Sequence, residues 1–142
     1  MKRDTAREIA VQLLFSKNFT EFDPELFFSE ENMASLGEEC DLYTEKLDKN
    51  SREYICLVLS NYSEHADEIN AKISDKLKTW NIRRISGTAL AVLRCSTTEL
   101  LYMKEIPSGA SINSAIEISK KYDEPEVVSF INGVLGSIAK DI

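Results

Sequence analysis

Histidine and tryptophan each occur once in 142 residues, cysteine and proline three times each, and glycine five times. Each scarcity removes a class of explanation. The lone His65 lies between Glu64 and Asp67 with no cysteine or second histidine at ligand spacing. It therefore supplies neither a metal site nor a nucleophile–base pair, and no catalysis, metal or cofactor is expected. Cys40, Cys56 and Cys95 are odd in number and widely spaced, which argues against a disulfide framework and for reduced thiols. The glycines match neither a phosphate-cradling loop nor a dinucleotide fingerprint. No stretch approaches the roughly 18 consecutive apolar residues of a membrane span. The opening residues up to Glu8 include acids that suit neither a signal nor a transit peptide, so a cytoplasmic protein is expected.

What the chain does have is 43% hydrophobic residues against 29% charged, the balance of one globular domain spanning residues 1–142. A chain of this size buries roughly 68–70% of its unfolded surface and needs no staple. Apolar residues recur three and four apart, and no run alternates as a strand would. The expectation is an all-α fold of about seven helices, arranged as a compact domain of two small helical bundles.

The spacing predicts a first helix capped by Asp4 or Thr5, presenting Ala6, Ile9, Ala10, Leu13 and Leu14 and fading near Asn18. Asp23-Pro24-Glu25 reads as a helix opening, with Leu26, Phe27 and Met33 following. Asn50 or Ser51 would cap a helix bearing Tyr54, Ile55, Val58, Leu59 and Tyr62, and a separate one would carry Ile69, Ile73, Leu77 and Trp80. A long apolar helix is expected from Ile85 to about Met103. Ser111 would cap the next, and Glu124-Pro125-Glu126 would open the last. Gly133 inside that last helix suggests a close helix approach. Asn113 and Asn132 are expected beside buried faces, satisfying backbone groups, and Arg94 and Glu99 are expected to be structural.

The formal net charge of −7 argues against a nucleic-acid partner until it is partitioned. Residues 21–68 alone carry a net −11, while residues 1–20 and 69–142 each carry +2. Lys2, Arg3 and Arg7 crowd the first turn of the first helix, where the positive dipole end makes cations cost about 0.3–1 kcal/mol each. A cluster placed against stability suits RNA or another polyanion, with the helix N-terminus adding backbone donors. A frayed, solvated end with its arginines paired to Asp4 and Glu8 explains the same residues equally well.

The C-terminal half carries a more specific pattern. It contains Trp80-x-x-x-Arg84, Val92-Leu93-Arg94, Glu99-Leu100, Ile106-Pro107, Ile112-Asn113-x-Ala115-Ile116-Glu117 and Phe130-Ile131-Asn132-Gly133-Val134-Leu135. Arg7-Glu8-x-Ala10-Val11-Gln12-x-Leu14 extends it to the N-terminus. In this order and spacing the chain resembles the NusB family (N-utilisation substance B) of bacterial transcription antitermination factors. The resemblance implies an all-helical fold of two subdomains that binds boxA RNA of ribosomal-RNA leaders together with a small-subunit ribosomal protein, NusE. That assembly acts on RNA polymerase in an antitermination complex. By the same resemblance, RNA binding carries over to Lys2, Arg3 and Arg7. Read from the residues themselves, Arg83 and Arg84 extend that surface, while Arg84 could equally hold the helix junction by pairing with a carboxylate. A homodimer is a further possibility. The competing reading is a helical protein-interaction module that docks a basic partner through its acidic segment and binds no RNA.

Overall fold

A computed structural model describes residues 2–16, 23–43, 47–77 and 85–142. Trp80, Arg83 and Arg84 lie outside the described residues, and so does the expected fading of the first helix near Asn18. Seven α-helices and no strand occur among the described residues. They are α1 (Arg3–Phe15), α2 (Pro24–Phe27), α3 (Glu30–Glu39), α4 (Lys49–Leu77), α5 (Gly87–Tyr102), α6 (Ser108–Tyr122) and α7 (Pro125–Lys140), with one 3-10 turn at Asp41–Tyr43.

The spine is α5. Ala89, Ala91, Val92, Leu93, Cys95 and Leu100 are all buried, as are the small polar Ser96, Thr97 and Thr98. A helix closed to solvent nearly all round must have neighbours on every side. α1 and α4 cover one side of it, α6 and α7 the other, and α4 also reaches α7. The two expected groups of helices thus share one spine and one apolar core, running from Ile9, Ile55 and Ile73 to Ile131 and Leu135. At about 1.5–3 kcal/mol for each fully buried large aliphatic side chain, that core is the main source of stability.

Local signals set most helix boundaries. Asp23 accepts from the amides of Glu25 and Leu26, and Pro24 occupies the first helical position. Ser86 caps α5 by accepting from the Ala89 amide at 3.0 Å. Pro125 opens α7.

Several boundaries differ from the sequence expectation. α1 begins at Arg3, so Asp4 lies in its first turn rather than capping it. The segment after Asp23 is two helices, because Ser29 starts a second by capping Asn32. Lys49–Leu77, by contrast, is two helical arms joined by a kink at His65, whose φ of −120° and ψ of 24° are not helical, so the two helices expected here are both present. The His65 ring stacks on Tyr102 of α5 with centroids 4.0 Å apart, which holds the bend against the spine. Ser111 is inside α6, buried, with its hydroxyl 2.9 Å from that of Ser96. Gly133 is exposed with nothing near its missing Cβ, so it marks no close approach. The glycine that does is Gly87, where a Cβ would stand 2.6 Å from the Phe15 ring.

Candidate nucleic-acid interface

The cationic start of α1 is anchored rather than frayed. Ala6, Ile9, Ala10 and Leu14 form its buried stripe against α4 and α5. One turn into the helix, Arg7 lies on that same inward side and is only 3% exposed. A guanidinium there needs a counter-charge, and α5 provides it. Arg7 Nε donates to Glu99 Oε2 at 2.7 Å and Nη2 to Oε1 at 2.8 Å, the two-pronged geometry that guanidinium and carboxylate favour.

Glu99, fully buried, is satisfied from two further sides. The Tyr54 hydroxyl of α4 donates to Oε2 at 2.5 Å, and the Cys95 thiol approaches the same oxygen at 3.8 Å. Burial alone would pull the Arg7 pKa down, but the hydrogen bond and charge of Glu99 more than reverse it. Burial also pushes the Tyr54 hydroxyl and the Cys95 thiol well above their ordinary values, so both remain protonated donors.

Asp4 completes the fastening. Its Oδ1 accepts from Arg7 Nη1 at 3.1 Å and from the Ser114 hydroxyl of α6 at 2.7 Å. One turn further on, Glu8 accepts from Lys121 Nζ and the Tyr122 hydroxyl, both at 2.7 Å, at the far end of α6. Gln12 takes the Tyr43 hydroxyl at 2.7 Å. α1 is therefore tied to α4, α5 and α6 by side chains along its length.

What remains free for a ligand is the first turn itself. Lys2 and Arg3 are exposed, and the Arg3 guanidinium lies 4.4 Å from the centroid of the Tyr54 ring. A cation–π contact of this kind is worth roughly 0.5–1 kcal/mol at an exposed site and orients the guanidinium without neutralising it. The same Tyr54 thus holds Glu99 through its hydroxyl and Arg3 through its ring face.

Of the five cations expected at an RNA surface, the structure brings Lys2 and Arg3 to solvent at one place. Arg7 is corrected: paired with Glu99 and 3% exposed, it has no guanidinium face to offer a phosphate. Arg83 and Arg84 lie outside the described residues. Arg94 is structural as expected, donating to Asn70 at 2.9 Å beside the Tyr62 ring. Asn113 and Asn132 are corrected as well. They are exposed and line an open groove of about 500 Å³ between α6 and α7, with Ile112, Ile116, Val128 and Ser129. The roles of Asp4 and Tyr54 were not foreseen, because no spacing rule relates them to residues on other helices.

The sequence model of the NusB family matches residues 4–140. The chain belongs to the NusB family. Among its relatives, the transcription antitermination protein NusB of Bacillus mycoides is 38% identical over 139 residues, covering 97% of both chains. T. maritima NusB superposes with a TM-score of 0.77 at 31% identity, covering 99% of this chain and 92% of that one. A chain in the crystal structure of a plectonemic RNA supercoil superposes with a TM-score of 0.76 at 26% identity, over 99% and 96% of the two chains. The superposition on T. maritima NusB extends over nearly all of the helical fold. No described helix is long and apolar enough to cross a membrane.

Proposed function

We propose that this chain is a cytoplasmic, non-enzymatic RNA-binding adaptor of transcription antitermination. In this reading it binds boxA RNA together with the ribosomal protein NusE, and the assembly acts on RNA polymerase. Relatives across the whole length carry the antitermination name, and one similar chain accompanies RNA. The observation that carries the reading is the rigid, cationic first turn of α1. Lys2 and Arg3 are held out to solvent where the helix dipole disfavours them, on a helix fastened by Arg7, Asp4 and Glu8. Phosphates gain from both the side chains and the free N–H groups of that turn. Arg83 and Arg84 are kept as further contacts, whereas Arg7 acts by positioning the helix.

So few cations bind RNA weakly alone, because each neutralised phosphate on a single strand contributes only about 0.7 to the salt slope. A basic protein partner supplies the remaining contacts. The test is anisotropy of labelled boxA RNA, with and without NusE, over a series of salt concentrations. Lys2→Ala with Arg3→Ala should weaken the complex and flatten the salt slope by about 1.4 while leaving the helical signal intact. An unchanged slope removes the first turn of α1 from the interface.

A further inference from the structure

The strongest charge asymmetry of the molecule lies away from the RNA-facing turn. Between residues 23 and 43 the chain has Asp23, Glu25, Glu30, Glu31, Glu38, Glu39 and Asp41, all exposed, and not one Lys or Arg. Beside them an open groove of about 440 Å³ runs between α2 and α4, lined by Pro24, Glu25, Phe28, Arg52, Glu53 and Cys56. Its floor is the apolar part of Pro24, Phe28 and Cys56, and two carboxylates stand on its rim. On the same short helix Leu26 is 70% exposed, the most exposed large hydrophobic side chain among the described residues. Leu57 of α4, next to Cys56 in sequence, is exposed as well.

We infer that the α2–α4 groove is a second docking surface, for a basic protein segment that places an aliphatic side chain between flanking Lys or Arg residues. The apolar floor and Leu26 favour an aliphatic anchor, since removing such surface from water is the main driving force of association. The carboxylates choose the sign of what flanks it. Among the described residues two cations stand nearby, the Arg52 guanidinium over the Phe28 ring at 5.6 Å and Lys49 paired with Glu53 at 3.9 Å, against the seven exposed carboxylates between residues 23 and 43. The same carboxylates repel RNA and anionic lipid, which leaves a cationic protein segment as the complementary occupant. This surface is independent of the RNA reading, because no residue of α1 contributes to the groove.

The probe is a synthetic helical peptide of about fifteen residues, with leucines one turn apart flanked by lysines and arginines. It is titrated into the full-length protein while backbone amide resonances are followed. Saturable shifts confined to residues 23–30 and 49–57 are expected. Binding should weaken about tenfold with Leu26→Ser or with serine for leucine in the peptide, and about tenfold again with Glu25→Lys plus Glu53→Lys. Salt should weaken the parent complex and leave the charge-reversed variant nearly indifferent. Any of four results overturns the proposal: no saturable binding, shifts mapping elsewhere, indifference to Leu26→Ser, or sedimentation showing that a second copy of the chain covers this face. Since RNA affinity depends on Lys2 and Arg3, the groove variants should leave it unchanged, which separates the two surfaces.

Discussion

Replacing Glu99 by alanine removes the counter-charge of a guanidinium that water barely reaches. Arg7 then keeps its contact with Asp4 at 3.1 Å but loses hydrogen bonds of 2.7 and 2.8 Å, and Tyr54 loses its acceptor at 2.5 Å. Breaking a buried pair by deleting one member costs about 3–5 kcal/mol. Total stabilities of domains run to about 5–15 kcal/mol, so this single change consumes a large share. In urea the midpoint should fall by about 2 M if the slope is near 2 kcal/mol/M. Arg7→Met should cost a comparable amount, because Glu99 is then the orphaned charge. The double variant should cost clearly less than the two losses added together, since each single change already ruins the same pair. Adding Tyr54→Phe removes the remaining orphaned hydroxyl, and the triple variant with Arg7→Met and Glu99→Leu should return to within about 2 kcal/mol of the parent. High salt should shift the parent and the singles alike, because ions do not screen a pair this deep. Single losses under about 1 kcal/mol, or strict additivity in the cycle, would refute the claim that this pair fastens α1.

Ser86→Ala should cost about 1 kcal/mol through loss of the α5 cap and of the 2.9 Å bond to Asp123, measured as a shift of the thermal midpoint. Gly133→Ala should stabilise by roughly 0.5–1 kcal/mol, because the added methyl meets open space and the helix gains propensity; destabilisation would refute the open space around this position. The Asp141 carboxylate is held below its ordinary range by the hydrogen bond from Lys76, whose own pKa is raised in turn. Its folded pKa being the lower one, its contribution is complete above about pH 4 and lost as pH falls through the folded value. The Lys76 contribution is complete below about pH 10 and lost as pH rises through its folded value. Urea midpoints of Asp141→Asn should therefore run a constant interval below the parent at neutral pH and meet it in acid.

The helical character, the inward stripes of α1 and α7 and the cap at Asp23 were legible from sequence because each is set within one or two turns by spacing and side-chain chemistry. The two helices expected between Tyr54 and Leu77 are there, with the kink at His65 between them. His65 departs from helical angles there, and its ring stacks on Tyr102 of another helix. Ser111 and Gly133 misled for one reason: residue type suggests a cap or a close approach, while the neighbouring helix decides whether either occurs. Asn113 and Asn132 lie on helices with strong apolar stripes, yet their own positions face the open side of α6 and α7.

The candidate site divides along the same line. By itself the sequence determined that the excess acidity sits in residues 21–68, that cations gather at the start of the first helix, and which family the chain belongs to. Charge content and local periodicity are properties of the chain, and they survive any packing. Only the tertiary structure decided which of those cations meets solvent. Arg3 and Arg7 are four residues apart and alike in sequence, but Arg7 faces Glu99, 92 positions away, while Arg3 rests on the outer face of the Tyr54 ring. A guanidinium is a ligand for phosphate or a structural ion depending on whether a carboxylate has been folded against it, and that depends on where α5 lies.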